Sequence, residues 1–187
     1  MRNFIRSQIT MEKLLLFLLL MLSHQVFSQD LTDTIHWRPD YKLKWEDFRG
    51  MPEINTTYAA TTYCSISYTY DISEKKLVFD IASFFYRNLS WTRDTFSTNG
   101  LAHEQGHFDI NKLFALKLEI AFRNYQLNER TADADLKRIF DAIIIERDKF
   151  DERYDNATKY SFDKDKQREW SERINIEVTN AINKTKK

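Results

Sequence analysis

The amino-acid sequence predicts an α+β domain, with antiparallel strands first and about three helices after them. Two observations carry this reading. Between Tyr58 and Tyr86 the chain is rich in β-branched and aromatic residues with partial alternation, whereas from Gly100 onward apolar residues recur at helical spacing without any proline. The chain also holds only 3 Gly and 2 Pro and no Ser-rich or Pro-rich tract, so nothing reads as a linker between separately folded parts.

At the N-terminus, Arg2, Arg6 and Lys13 precede an apolar run from Leu14 to Leu22. A membrane-spanning helix needs about 20 apolar residues, and a signal-peptide core only about 7 to 15. The run therefore reads as a signal peptide, with Met1 and Met11 both plausible starts. Val26-Phe27-Ser28 supplies acceptable residues for cleavage after Ser28, which makes residues 1–28 the targeting segment and 29–187 one domain of about 160 residues. No cysteine follows the run closely, so a secreted or periplasmic product without stable membrane insertion is expected, rather than a lipoprotein. Cys64 is the only cysteine, so no intramolecular disulfide exists and packing must hold the domain together. Asn55, Asn88, Asn156 and Asn183 begin Asn-x-Ser/Thr sites, relevant only in a source that glycosylates exported proteins.

Next comes an aromatic, turn-containing segment with Trp37, Trp45 to Gly50 and Pro52, expected to pack over the sheet, with Asp47 as a turn former. Tyr58 to Asp71 and Lys75 to Tyr86 read as the two strands of a hairpin, with Cys64 as a buried, inert thiol. The helices are predicted over about Leu101 to Tyr125, Ala132 to Arg153 and Asp163 to Ile182. Thr98 or Asn99 is the candidate first cap, and polar runs at 128–132 and 155–161 are the breaks.

Apolar residues at 42% suffice for a core, and 28 basic against 28 acidic residues leave no basic stripe of the kind that neutralises phosphates. Nucleic acid is therefore not expected as a partner.

The chemistry is concentrated in His103-Glu104-Gln105-Gly106-His107. Residues four apart share one helix face, about 6 Å between Cβ atoms, so both imidazoles can address one ion. In such a motif the Glu is not a ligand but takes a proton from metal-bound water, whose pKa zinc lowers from about 16 to about 7. Chance produces the pattern in a chain of this length about once in two hundred, which makes accident a weak account. The ligand face continues as Ile110, Phe114, Leu118, Ala121 and Tyr125, a core stripe. Gly106 costs about 1 kcal/mol relative to Ala inside a helix, so something is expected to approach the backbone there. The third ligand is not legible from spacing. Ile110 and Leu113 exclude the metzincin continuation, Glu129 or Asp133 lie at the remove a gluzincin would use, and His36 is the one other histidine of the mature chain.

Three blocks give the chain a family likeness: Leu43 to Gly50 with Ala59 to Thr62; Leu101 to Ile110; and Tyr154-Asp155 with Thr158, Gln167 and Trp170. In these it resembles the DUF922 family of secreted bacterial proteins, described as zinc-dependent proteases. The resemblance implies a zincin-like fold, zinc ligands His103 and His107, and Glu104 as general base. The family's pattern has a histidine two residues after the last block's Thr, where this chain has Tyr160, so Tyr160 is the expected third ligand, with Asp155 or Asp163 as carboxylate alternatives. The expected function is a secreted zinc metallopeptidase acting on peptide or protein substrates; the rival is a catalytically impaired relative that binds an envelope or extracellular protein.

N-terminal sequencing of the exported product should begin at Gln29 or within a residue or two of it. Recovery of the full-length chain from the cytosol would overturn the export reading.

Overall fold

Strand β3 (Cys64–Ser73) and strand β4 (Lys76–Tyr86) form the hairpin, paired without interruption from Cys64 opposite Phe85 to Ser73 opposite Lys76. The computed structural model describes residues 33–186, so the signal peptide and its cleavage site lie outside the described residues. Glu74 and Lys75 close the hairpin with φ of 52° and 61°, the left-handed pair whose twist matches that of the flanking strands. A short β1 (Thr34–His36) pairs with the other edge of β4, giving the order β1-β4-β3.

The first hairpin strand is shorter than the sequence predicts. Ala60–Thr61 form a separate strand, β2, which pairs with β5 (Trp91–Thr92) in a second small ladder. The chain changes ladders at Thr62 and Tyr63, where the Ser90 hydroxyl accepts from the Tyr63 N–H at 2.9 Å. Strands of two or three residues are too short to show alternation, which is why β1, β2 and β5 are not separable in the sequence.

Helix α1 (Thr98–Arg123) is the centre of the molecule: the sheet packs on one side, and α2 (Ala132–Thr158) and α3 (Lys164–Thr185) on the other. Ser97, rather than Thr98 or Asn99, is its cap and accepts from the Gly100 N–H at 2.9 Å. Being covered on both sides, α1 buries more than the single stripe read from its sequence, with Leu113, Ala115, Leu116 and Phe122 joining Ile110, Phe114 and Leu118 in the core. Buried Asn111 ties the layers together. Its amide donates to the Ser65 carbonyl and the Ser83 hydroxyl, both at 2.8 Å, and its oxygen accepts from Arg147 of α2 at 3.2 Å.

The main departure from the sequence reading is the end of α2, which runs to Thr158 and not to Arg153. The polar run beginning at Asp155 has loop composition, yet Tyr154 and Thr158 are fully buried on the side facing α1 and keep the helix wound. Lys159, Tyr160 and Ser161 then take φ of 49°, 53° and 74°, and Asp163 caps α3 by accepting from Lys166 N at 3.1 Å.

The aromatic segment before the hairpin is fastened to both sheet and α1. Leu43 and Phe48 share a small second core with Ile35, Phe85 and Phe108. Gln105 accepts from the Leu43 N–H at 2.8 Å, and Asp109 from the Trp37 indole at 2.7 Å. Asp47 is a turn former, accepting from Lys44 N at 2.9 Å and Tyr41 OH at 2.8 Å, and pairing with Arg87 at 3.1 Å. No helix among the described residues is long and apolar enough to cross a membrane.

Gly106 has the close neighbour that its position implied. A Cβ there would lie inside the van der Waals envelope of the Tyr154 hydroxyl and 2.5 Å from its Cζ. Alanine would gain about 1 kcal/mol of helix propensity, but overpacking costs about 1 to 3 kcal/mol, and buried Tyr154 has nowhere to retreat. Gly106→Ala is therefore expected to destabilise the domain by up to about 2 kcal/mol, read as a lower urea midpoint with an unchanged slope.

Candidate metal centre

His103 and His107 stand on the first turns of α1, and the last turns of α2 lie against them, bringing Asp151 and Asp155 from an equivalent four-residue spacing. His103 Nε2, His107 Nε2 and Asp155 Oδ1 form a triangle in which all three separations are 3.2 Å. Tetrahedral donors bound to zinc at 2.0 to 2.1 Å lie about 3.3 Å apart, so the triangle has the size of one face of such a site. Asp155 Oδ1 is buried and accepts no well-directed hydrogen bond, although two ring nitrogens stand 3.2 Å from it. The three atoms thus surround a shared centre, with the two Nε2 atoms also within hydrogen-bond distance of each other, an arrangement that a cation fits.

The outward ring nitrogens are held by other partners. His107 Nδ1 lies 2.8 Å from Asp151 Oδ1, and His103 Nδ1 lies 3.0 Å from Gln167 Oε1 of α3. With the Nδ1 proton donated outward, each ring in its neutral form presents the Nε2 lone pair to the centre, the tautomer that a metal ligand needs. Gln167 is oriented in turn by donating to Tyr154 OH at 2.6 Å, and Tyr154 donates to the His103 carbonyl at 3.0 Å. The Tyr154 ring stacks on His103 at 4.7 Å and meets His107 edge-on at 5.2 Å.

Glu104, Asp151 and Asp155 give the site a strongly negative field. Burial by itself pulls the His107 pKa down, but Asp151, Asp155 and Glu104 outweigh it and hold it well above the ordinary histidine value. Burial alone would raise the Asp155 pKa, and the adjacent His103 and His107 rings reverse that, holding it well below the usual carboxylate range. The Cys64 thiol, only partly buried by surface area, is pushed up by desolvation and by Asp151, which keeps it protonated and inert.

Glu104 is buried, and its Oε2 has no hydrogen-bond partner among the described residues. It lies with His103, His107, Asp151 and Asp155 on the wall of a cleft of about 630 Å³. Trp45, the 57–62 segment, Asp94 and the 160–162 loop complete the cleft.

Tyr160 lines this cleft but is not at the third corner of the triangle, which Asp155 occupies. The Tyr160 ring lies against Tyr58, with centroids 5.8 Å apart, and none of the hydrogen bonds among the described residues joins its hydroxyl to either imidazole. The other candidates are engaged elsewhere: Asp163 caps α3, Asp133 accepts from Tyr70 OH, Glu129 is an exposed residue before α2, and His36 packs edge-on to Phe84. Asp151 is the functional residue that sequence reasoning missed. A signal was present, because Asp151, Tyr154, Asp155 and Thr158 share one helical face just as His103 and His107 do, but it requires α2 to continue past Arg153.

A family model described as "Bacterial protein of unknown function (DUF922)" matches residues 33–162. No curated protein and no solved structure matches the chain.

The metal-free cluster should leave a pH signature. The raised His107 pKa contributes stability that is complete below about pH 6.5 and is lost as pH rises through the folded value. The lowered Asp155 pKa contributes stability present above about pH 4 and lost as pH falls. Chelator-treated protein should therefore lose urea resistance on the alkaline side of about pH 6.5, and His107→Gln should flatten that limb. A limb of equal slope in the variant would show that another group causes it.

Proposed function

The chain belongs to the DUF922 family, and from the site it carries we propose that it is an exported zinc-dependent metallopeptidase with a zincin-like domain. The observation that supports this best is the 3.2 Å triangle of His103, His107 and Asp155 beside the unpartnered, buried Glu104 carboxylate in one cleft. Two neutral imidazoles and a carboxylate suit zinc and leave a fourth position open to water or substrate, the division found in catalytic rather than structural sites.

Asp155 takes the third ligand position in this reading, and the resemblance to the family no longer needs Tyr160 there. A carboxylate is already ionised at neutral pH, whereas ionising a phenol of pKa about 10 costs about 4 kcal/mol. Zinc in such a donor set polarises a carbonyl and lowers the pKa of water.

The chain's own residues supply the remainder. Asp151 and Gln167 hold the imidazoles in one tautomer and orientation, and Tyr154 excludes water from the inner side of His103. Glu104 accepts a proton as water attacks the scissile carbonyl carbon and passes it to the amide nitrogen as the C–N bond breaks. No covalent bond to the chain is formed.

The test joins zinc titration to peptide hydrolysis. Wild type should bind about one zinc per chain; His103→Ala, His107→Ala and Asp155→Asn should release it, since two ligands rarely hold zinc, while Tyr160→Phe should retain it. Glu104→Gln should keep the metal and lose turnover by about 10² or more. Zinc retained in Asp155→Asn but lost in Tyr160→Phe would restore the phenol as ligand. Full metal with no hydrolysis in wild type would favour the protein-binding module.

A further inference from the structure

Several large apolar side chains are exposed on the loops that form the cleft or adjoin it. Tyr58, Tyr160 and Phe162 line the cleft itself, and Phe162 is 87% exposed. Phe96, 92% exposed, stands between cleft-lining Asp94 and Ser97, and Ile54, 94% exposed, lies on the loop that leads into Tyr58. These side chains come from three loops that are fastened to one another and to α1. The Arg93 guanidinium donates to the carbonyls of Glu53, Thr56 and Tyr58, and the Asn99 amide donates to the Ser161 carbonyl. Lys159 to Ser161 hold three successive left-handed residues, a conformation that costs about 1 kcal/mol or more apiece in non-glycine residues. The turn that keeps Phe162 in solvent and Tyr160 on Tyr58 is thus maintained against backbone preference.

The formal charges of the acidic and basic side chains lining the cleft, the histidines aside, have one sign. Asp94, Glu104, Asp151 and Asp155 line it, and no lysine or arginine does so among the described residues. Even with a dication bound, four carboxylates leave the cleft negative, so acidic side chains, a terminal carboxylate or an anionic headgroup would meet repulsion with no lysine or arginine in the lining to answer it.

We infer that the cleft and its aromatic rim receive an extended, internal polypeptide segment with large apolar side chains and no acidic residue beside the scissile bond. This rests on the metallopeptidase reading and gives it a substrate class, an internal rather than a carboxy-terminal bond. A cleft of about 630 Å³ accommodates a few side chains but not a folded partner, so the segment enters unfolded. The rim takes up its apolar groups, and the threonine-rich 57–62 wall offers it polar contacts.

Binding tests this without turnover. The probe is a fluorophore-labelled, end-blocked heptapeptide centred on Phe-Leu-Phe, titrated by anisotropy into zinc-loaded Glu104→Gln protein. An analogue with Asp at both Phe positions and vesicles of phosphatidylglycerol serve as competitors. The apolar peptide is expected to bind at least about tenfold more tightly than the acidic one, and Phe162→Ser to weaken it by about tenfold. Val78→Ser, an exposed apolar position on the hairpin away from the rim, should change nothing. Equal or tighter binding of the acidic peptide overturns the inference, as does no effect of Phe162→Ser, or vesicle binding without peptide binding. Hydrolysis of peptides by wild type alongside any of these failures would leave the metallopeptidase reading standing; selective apolar binding without wild-type hydrolysis would do the reverse.

Discussion

The arrangement of the site depends on how closely the end of α2 approaches the start of α1, and Gly106 sets that distance. With no Cβ at 106, the Tyr154 ring lies directly on the α1 backbone, its hydroxyl donating to the His103 carbonyl and its face covering the His103 ring. Asp151 lies about one helical turn before Tyr154 and Asp155 directly follows it, so the separation that admits Tyr154 also brings the two carboxylates to the two imidazoles. A side chain at 106 would push the helices apart and move every donor together. The loss of helix propensity at Gly106 is the cost of this contact.

Burying so many polar groups is tolerable only because nearly all are satisfied. Gln167 takes one imidazole proton and gives its own to Tyr154; Thr158 donates back to the Tyr154 carbonyl; Asp151 takes the other imidazole proton. At the site, the groups left over among the described residues are Asp155 Oδ1 and Glu104 Oε2, both acceptors and both on the cleft. Unpartnered buried carboxylate oxygens are costly, and two at one cleft concentrate the negative potential where a cation is favoured. Two elements supply donors and a third, α3, orients one of them through Gln167, so the centre is a property of the whole helical layer.

The same backbone geometry links this centre to the surface. Once α2 has run far enough to place Asp155, it ends in a turn of three left-handed residues that reverses the chain into α3 and exposes Phe162 beside the cleft. Regular helix on one side of Thr158 and strained turn on the other position the inner donors and the outer aromatic rim from one stretch of chain.

The order of strands and helices, the central helix with His103, Glu104 and His107 on one face, and a close approach at Gly106 were legible in the sequence. Each follows from periodicity or from a residue type whose preference is local. Two-residue strands were not legible, because alternation needs several residues to appear. The third donor was legible only as a set of alternatives, with Tyr160 preferred and Asp155 or Asp163 beside it. Helical spacing reports which residues share a face of one helix, not which helix that face meets. Asp155 sits in a run whose polar composition reads as a loop until Tyr154 and Thr158 are seen to be buried. Tyr160, one helical turn and a left-handed cap beyond, had the family pattern in its favour, but the cap turns it toward Tyr58 at the cleft wall. Which of these residues reached the imidazoles was decided by where α2 ends, and that by burial against α1, a tertiary contact.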